Sequence, residues 1–261
     1  IKSSAASDVY KRQTHNVNLV YTYLPTSADK TYFLPPTLTN GNVHGIIVLN
    51  VYNERLLRLL AETQIPKVFL DTSSLVAPDE LNGDLLLMES RTSVRRITCH
   101  LLEQGRTLPG FIGDISYAQS NRERYEGFCQ ALADAGKKVD SSLCLTTPLG
   151  IDTYREEIDT FLSSLSRMPD AFVCASDYVA CILMQLLEKR GLRVPEDVAV
   201  SGFDNNTEDL LAEHLTTVQV FNEELGARLA LQILYRIKYP NTPHEITYLG
   251  TNVLYRDSTG D

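Results

Sequence analysis

The stretch VPEDVAVSGFDN, residues Val194–Asn205, decides the fold of this chain. Pro195 fixes an extended turn, and the run Val198–Phe203 that follows is short and largely apolar, which is typical of a strand buried beneath helices on both faces. Asp204 then falls at the carboxyl end of that strand, where open α/β sheets bind their ligands. This stretch therefore predicts a parallel α/β sheet with a ligand-binding edge at Asp204.

Similar apolar runs recur upstream of this stretch and alternate with helical patterns. The predicted strands are Val17–Tyr23, Gly45–Leu49, Lys67–Leu70, Leu85–Met88, Gly110–Ile112, Leu143–Leu145 and Ala171–Ala175. The predicted helices are Glu54–Glu62, Ser120–Ala135, Tyr178–Lys189 and Glu223–Lys238. Such alternation indicates right-handed βαβ units and parallel sheets. More than seven strands in 261 residues fit either one wide sheet or two smaller sheets.

Three local features refine this pattern. Residues 1–13 are small, polar and mixed in charge, so we interpret them as a leader, linker or remnant outside the fold. Leu24–Asn42 is rich in proline and cannot form one uninterrupted helix. The helix Ser120–Ala135 opens with Ser120 and Glu123, which predicts a capping box with the serine as N-cap.

Composition and charge limit the classes of function. The chain carries 33 acidic and 24 basic side chains and a net charge of −9, so its surface is not expected to grip nucleic-acid phosphates. Its five cysteines are scattered without a C-x-x-C pair, which argues against disulfides and zinc ribbons and favours the reducing cytosol. No apolar run approaches the ~20 residues that a membrane helix needs.

The sequence lacks the motifs of several common enzyme classes. It contains no G-x-G-x-x-G, no G-x-x-x-x-G-K-[ST], no H-E-x-x-H and no G-x-S-x-G. Its five histidines lie far apart, and none pairs at the spacing of metal ligands. We therefore predict a binding protein rather than an enzyme, without a metal or a cofactor.

Several pieces of the sequence, taken together, resemble the regulatory domain of the lactose-repressor (LacI/GalR) family. In chain order they are Val43–Ile47, Ile65-Pro66, Arg124–Phe128, Val194–Asn205, His214–Val218 and Glu224–Gly226. Each piece is weak alone, but their common order is specific, and the resemblance extends roughly from Val17 to Thr259. It implies two α/β subdomains joined by three crossing segments, a small-molecule effector between them, and dimerisation.

The resemblance also predicts where the two subdomains lie. The N-terminal subdomain is expected at residues 14–89 plus 219–241, and the C-terminal subdomain at residues 90–218 plus 242–261. The family runs a helix, a strand and a helix between its first strand and the strand of Gly45–Leu49, where this chain has only Leu24–Asn42. Either the first subdomain lacks an edge strand, or Val17–Tyr23 is the second strand of a truncated domain. We favour the missing edge strand, because Thr31–Leu34 resembles the start of the family's first helix.

Two charged residues are the leading candidates for ligand contact. The family's arginine in the R-x-x-G-F context, here Arg124, reaches the effector, and a guanidinium can fork onto adjacent hydroxyls. The alternative is an exposed arginine that pairs with Glu123 or Glu126 on its own helix. The family also places a ligand-contacting acid at Asp204, which would accept hydrogen bonds from hydroxyls or, alternatively, cap the following turn.

Six further side chains are weaker candidates for the ligand site. They are Tyr23, Asp71, Ser120, Tyr154, Ser176 and Asp177. Asp71 and the pair Ser176-Asp177 follow predicted strands. Asp177 fits a helix cap equally well, and Ser120 is first of all a helix N-cap, with ligand contact as a second role. The two tyrosines could stack on a sugar face, but isolated tyrosines are more often partly buried packing residues.

These observations predict the effector-binding and dimerisation part of a LacI/GalR-like transcriptional regulator in the cytoplasm. It is expected to be a homodimer that binds a sugar-like ligand, although its residues leave a nucleobase or a sugar phosphate open. The family's helix-turn-helix has no counterpart in this sequence, so operator DNA is expected to bind only through a segment absent from this chain. The alternative is a free solute (sugar)-binding protein of a transporter, which shares the fold but predicts a secretory signal and few free cysteines.

Overall fold

The computed structural model describes residues 18–150, 152–205 and 213–261, and the chain divides into two compact units. Unit 1 consists of the residues up to Met88 together with Phe221–Leu249. Unit 2 consists of Glu89–Val220 and Gly250–Asp261. The chain therefore passes from one unit to the other at three points.

Strands and helices alternate through most of the described chain. The strands are β1 (Ile46–Leu49), β2 (Lys67–Leu70), β3 (Asp84–Met88), β4 (Pro109–Ile112), β5 (Cys144–Leu145), β6 (Ala171–Cys174), β7 (Ala199–Ser201), β8 (Thr217–Gln219), β9 (Ile246–Leu249) and β10 (Asn252–Leu254). The α-helices are α1 (Glu54–Glu62), α2 (Arg91–Glu103), α3 (Gln119–Asp134), α4 (Tyr154–Ser164), α5 (Asp177–Lys189) and α6 (Asn222–Lys238). Short 3-10 turns lie at Pro36–Leu38, Pro78–Leu81, Ser141–Leu143 and Asp257–Thr259.

Unit 1 is built on a parallel sheet in the order β1-β2-β3-β9. Phe69 and Leu85, which lie opposite each other on β2 and β3, belong to its core together with Leu57 and Leu60 of α1. Helix α1 begins where the side chain of Asn53 accepts a hydrogen bond from the Leu56 amide, and it turns its leucines inward.

Helix α6 is joined to β3 by a buried ion pair. The guanidinium of Arg236 donates two hydrogen bonds to the Asp84 carboxylate, and both side chains are only 2% exposed. Gln232 Nε2 and the Glu245 amide donate to the same carboxylate at 2.8 and 2.9 Å. Burial alone would raise the pKa of Asp84, but these hydrogen bonds outweigh it and lower the pKa. The pair thus connects α6, and the segment after it, to the sheet.

Unit 2 is built on a second parallel sheet, in the order β5-β4-β6-β7. On one face the apolar sides of α4 and α5 cover Ile112, Phe172 and Val200. Phe111, which points the opposite way from Ile112, packs against aromatic rings of α3. A Cβ at Gly127 would overlap the carbonyl group of Arg91, so glycine is what allows α3 to approach the start of α2.

A two-stranded antiparallel sheet in unit 2 joins the two segments beside the later crossings. Strand β8 lies just before the chain passes to unit 1, and β10 lies just after it returns. Val218 and Val253 are opposite each other in this ladder. The predicted fold class, two parallel α/β sheets in one chain, is confirmed.

The predicted first strand, Val17–Tyr23, is wrong for the residues that the structure describes. Residues 18–23 form no strand, and Val20 and Tyr23 are 72% and 91% exposed, so burial does not stabilise a strand there. Thr31–Leu34 does not begin a helix either, because a turn and irregular chain lead from it to the 3-10 turn at Pro36–Leu38. The interpretation of residues 1–13 lies outside the described residues.

Strand β9 shifts the predicted boundary between the subdomains. We predicted residues 242–261 in the C-terminal subdomain, but β9 pairs with β3, and residues up to Leu249 belong to unit 1. Glu89, Gln219 and Val220 lie conversely in unit 2. The sequence did not reveal β9 because its residues alternate between exposed and half-buried, unlike the doubly apolar runs of the central strands.

Candidate functional site

The carboxyl edge of the unit 2 sheet brings together polar residues from three neighbouring strands. Asp114 follows β4, Ser176 follows β6, and Asp204 follows β7. Because the carboxyl ends of parallel strands meet at one edge of a sheet, these residues share that edge. We call these three residues, together with the side chains of unit 2 that lie around them, the edge site.

Arg124 reaches the edge site from the second turn of α3. Its Nη1 donates to the Ala175 carbonyl oxygen and lies 3.5 Å from Asn121 Oδ1, while its Nη2 lies 3.5 Å from Asp204 Oδ1. The Phe203 ring centroid lies 3.6 Å from the Arg124 Cζ, which is the distance of a close cation–π contact. The guanidinium is therefore fixed on several sides.

The ion pair of Arg124 and Asp204 is buried at one end and open at the other. The Arg124 side chain is 5% exposed, and the Asp204 side chain is 44% exposed. Arg124 Nε is buried without a hydrogen-bond partner in the described part of the chain. A charged pair that is partly shielded from water can bind a ligand more strongly than a fully solvated pair.

Asp177 is a buried residue whose hydrogen bonds stabilise the end of β7 at the edge site. It is 2% exposed, its Oδ1 accepts a hydrogen bond of 2.6 Å from Thr217 Oγ1, and its amide donates to the Phe203 carbonyl oxygen at 2.8 Å. A Cβ at Gly202 would overlap the same carboxylate, which explains the glycine. The cap of α5 is Ser176, whose hydroxyl accepts from the backbone of the helix.

Ser120 is not the cap of its helix, and the predicted capping box is wrong. Helix α3 begins one residue earlier than predicted, at Gln119, and its N-cap is Ala118, which forms no side-chain hydrogen bond. Glu123 instead accepts a hydrogen bond of 3.1 Å from Gln119 Nε2. Ser120 is buried one turn before Arg124, so both lie on the same face of α3.

Tyr154 lies at the start of α4 and packs against Tyr178. The two ring centroids are 5.8 Å apart with the rings nearly perpendicular, and burial raises the pKa of Tyr154. Both rings line a cavity of about 490 Å³ together with Asp152, Arg155, Glu156, Cys181, Ile182 and Gln185. Tyr154 also packs against the core cluster, as expected for a packing residue.

The remaining two candidates belong to unit 1. Asp71 follows β2 directly, is 4% exposed, and has a left-handed backbone with φ of 60°. Its Oδ1 accepts a hydrogen bond of 2.8 Å from the Thr72 amide. Tyr23 is 91% exposed in irregular chain. The structure therefore brings together Ser120, Arg124, Ser176, Asp177 and Asp204 in unit 2, and it places Tyr23 and Asp71 in unit 1.

Sequence reasoning missed several polar residues of the edge site. Asp114 is 7% exposed, and its Oδ1 accepts from the Ser116 amide and hydroxyl and from the Tyr117 amide. Its position two residues after the predicted strand Gly110–Ile112 was a signal that could have found it. Asn205, Thr217, Gln219 and Arg256 were also missed, and all four lie outside the predicted strands and helices, although Asn205 and Thr217 fall within stretches that carry the family resemblance.

Three further observations bear on the classes of site that the structure contains. Within residues 18–150, 152–205 and 213–261, no group of three or more histidine, cysteine, aspartate and glutamate side chains could hold a metal ion. No helix among the same residues is long and apolar enough to cross a membrane. All five cysteines are free thiols.

Comparison with known proteins identifies the family. Residues 98–259, more than half of the chain, match the model of the periplasmic binding protein-like domain. The chain belongs to this family. The HTH-type transcriptional repressor PurR of Aliivibrio fischeri (strain MJ11) is 29% identical over 225 residues, which cover 85% of this chain and 66% of that protein.

Other relatives indicate which type of periplasmic binding protein-like domain this chain contains. The HTH-type transcriptional regulator DegA of Bacillus subtilis (strain 168) is 31% identical over 170 residues, which cover 64% of this chain and 48% of that protein. The solved complex of the transcriptional regulator CelR with cellobiose has a TM-score of 0.75 at 27% identity, with 85% of this chain and 68% of that chain covered. The domain is thus of the LacI/GalR effector-binding type.

The names of the relatives also help to decide between a regulator domain and a transporter's solute-binding protein, the two functions that the sequence left open. They are named as transcriptional repressors and regulators, which favours a regulator domain over the free solute-binding protein of a transporter. The chain spans 66%, 61% and 59% of the length of three of the repressors that it matches.

Proposed function

We propose that this domain is the effector-binding part of a LacI/GalR-type transcriptional regulator, and that the edge site of unit 2 binds a small, hydroxyl-rich ligand. The half-open ion pair of Arg124 and Asp204 carries the proposal. A guanidinium donates hydrogen bonds and a carboxylate accepts them, so the pair complements hydroxyl groups, which do both.

Charge at the edge site favours a neutral ligand over an anionic one. Arg124 is the cation of the pair and Arg256 reaches the neighbouring Asn205, whereas Asp114, Asp177 and Asp204 supply three carboxylates to the edge site. A phosphate group would meet more negative than positive charge there. Cellobiose in the complex of the CelR regulator is a relevant precedent for a neutral carbohydrate ligand.

The wider biology of the domain is part of the same proposal. We expect a cytoplasmic homodimer without enzymatic activity, in which ligand binding shifts a conformational equilibrium and thereby changes DNA binding. DNA would be bound by a helix-turn-helix segment outside these residues, because the net charge of −9 disfavours duplex DNA as a direct partner. Sedimentation at micromolar concentration tests the dimer, which is contradicted if every species has the monomer mass of 29.2 kDa.

Calorimetric titration with a matched ligand panel tests the ligand class. The panel contains ribose and ribose 5-phosphate, which differ only in the phosphate, together with cellobiose and adenine. We expect saturable binding of a neutral sugar and no binding of ribose 5-phosphate. Tight binding of the phosphorylated sugar or of adenine would contradict the proposed ligand class, and no binding of any probe at millimolar concentration would contradict a carbohydrate effector of this kind.

A further inference from the structure

The turn that carries the Asp204 carboxylate has an unusual backbone. Asp204 has a φ of 105° and Asn205 a φ of 49°, both in the left-handed region that favours glycine. Residues in such conformations persist only where the surrounding structure over-determines them, and they cluster at functional sites. Glycine would adopt the same backbone without strain, so contacts with the surrounding structure must hold Asp204 and Asn205 in this conformation.

The backbone of this turn is hydrogen-bonded to the neighbouring strand β8. The Asp204 amide donates to the Val218 carbonyl oxygen at 3.1 Å, and the Asn205 amide donates to Thr217 Oγ1 at 3.2 Å. The same Thr217 hydroxyl donates to Asp177 beneath the edge site. These contacts determine where the turn begins, but they do not engage the Asn205 side chain.

A second set of hydrogen bonds holds the Asn205 side chain from both ends. Its Nδ2 donates to Gln219 Oε1 at 2.5 Å, and its Oδ1 accepts from Arg256 Nη2 at 2.9 Å. Arg256 is itself fixed, because its Nη1 donates to the Leu215 carbonyl oxygen at 3.0 Å and its amide donates to Thr216 Oγ1 at 2.7 Å. One planar guanidinium thus bridges the turn and the chain before β8.

We propose that Arg256, Asn205 and Gln219 are positioning residues that hold the Asp204 carboxylate against Arg124 in the orientation that binds ligand. The identity of the ligand that the carboxylate binds rests on the proposed function, whereas the positioning of the carboxylate does not. Arg256 and Gln219 act through the turn, from segments that flank the later crossings of the chain. Loss of either side chain leaves the strained backbone with fewer constraints, so the carboxylate samples orientations that do not face Arg124.

Amide hydrogen exchange measured by NMR without ligand tests the positioning directly. In Arg256→Met we expect the Asp204 and Asn205 amides to exchange at least about tenfold faster, while the Ala175 amide in the sheet exchanges as before. Gln219→Met should also accelerate hydrogen exchange of these two amides. If Arg256→Met fails to fold, the Gln219→Met variant provides the test. The matched control is Arg193→Met, since Arg193 is exposed and pairs only with Asp197 among the contacts described. Unchanged exchange of both turn amides in both variants would overturn the proposal.

Calorimetry with ribose and cellobiose separates positioning from mere stability. We expect Arg256→Met to weaken binding of the sugar that binds the unaltered protein by roughly tenfold, with partial recovery in Arg256→Lys, which keeps one donor for Asn205. Equal affinity in all variants would show that the network only stabilises the turn, and the proposed function would stand. If neither sugar binds the unaltered protein, the proposed function fails, and hydrogen exchange alone still decides the positioning role.

Discussion

Each unit of this protein contains a buried arginine paired with an aspartate, and the two pairs differ in how completely they are enclosed. In unit 1, Arg236 and Asp84 are both 2% exposed, and additional donors saturate the carboxylate. In unit 2, Arg124 is buried, but Asp204 is 44% exposed and their contact is 3.5 Å long. The first pair is closed, and the second is open at its carboxylate.

The difference separates a structural role from a binding role for the same two residue types. A closed pair has no hydrogen-bonding capacity left for a ligand, and removing one partner leaves a buried charge without compensation. An open pair keeps acceptor capacity toward solvent, so a ligand can replace water there. We therefore expect the unit 1 pair to control folding and the unit 2 pair to control affinity.

The largest expected effect is on the closed pair. Arg236→Met should reduce the free energy of unfolding by about 3–5 kcal/mol, because it leaves the Asp84 carboxylate buried without its cation. Urea unfolding followed by circular dichroism measures this loss. A loss below about 1 kcal/mol would show that the pair is not the main connection between α6 and the sheet.

The next effect concerns the open pair and should appear in affinity. Arg124→Met or Asp204→Asn is expected to weaken sugar binding by roughly tenfold to several hundredfold, since the first removes the guanidinium donors and the second removes the charged acceptor that sugar hydroxyls would use. Asp204→Asn should leave the melting temperature nearly unchanged. Arg124 is more buried than the sequence suggested, so methionine, which retains the length of the stem, is the suitable replacement. Unchanged affinity in both variants would show that the ligand site lies elsewhere.

A smaller effect comes from a buried amine in unit 1. Burial lowers the pKa of Lys67 from 10.5 to about 8, and its Nζ donates to the carbonyl oxygens of Thr63 and Asn82, which matches the two donors of a neutral amine. Between these pH values the unfolded chain binds more protons than the folded chain, so the contribution of Lys67 to stability rises with pH. The stability difference between the unaltered protein and Lys67→Met should therefore grow by about 1 kcal/mol from pH 8 to 9. A difference that is flat over this range would contradict the lowered pKa.

The smallest expected effect is on an exposed pair. Glu126 lies on α3 two residues after Arg124 and forms an ion pair with Arg91, in which both side chains are well exposed. Glu126→Ala should change stability by less than about 1 kcal/mol and leave sugar affinity unchanged. It is thus the matched control for Arg124→Met, and an equal loss of affinity in both would refute the assignment of the site.

The central strands, four of the six described α-helices and the polar carboxyl end of β7 were predictable from the sequence. Runs such as Lys67–Leu70 and Ala171–Ala175 are apolar on both faces, and the R-x-x-G-F context of Arg124 is local. Patterns of this kind depend only on residues that are close together along the chain, so they can be recognised without knowledge of the tertiary fold.

Only the tertiary structure decided which segments join each sheet and which charges are enclosed. Strand β9 has no double apolar pattern, and it pairs with β3 across more than 150 residues of sequence. The run at residues 18–23 is apolar but is not buried, so it forms no strand. Whether an arginine–aspartate pair is closed or open, and whether Arg256 reaches Asn205, depends on contacts between residues distant in sequence. Burial and hydrogen bonding between residues that are distant in sequence arise only when the chain packs, so they cannot be predicted from the local sequence.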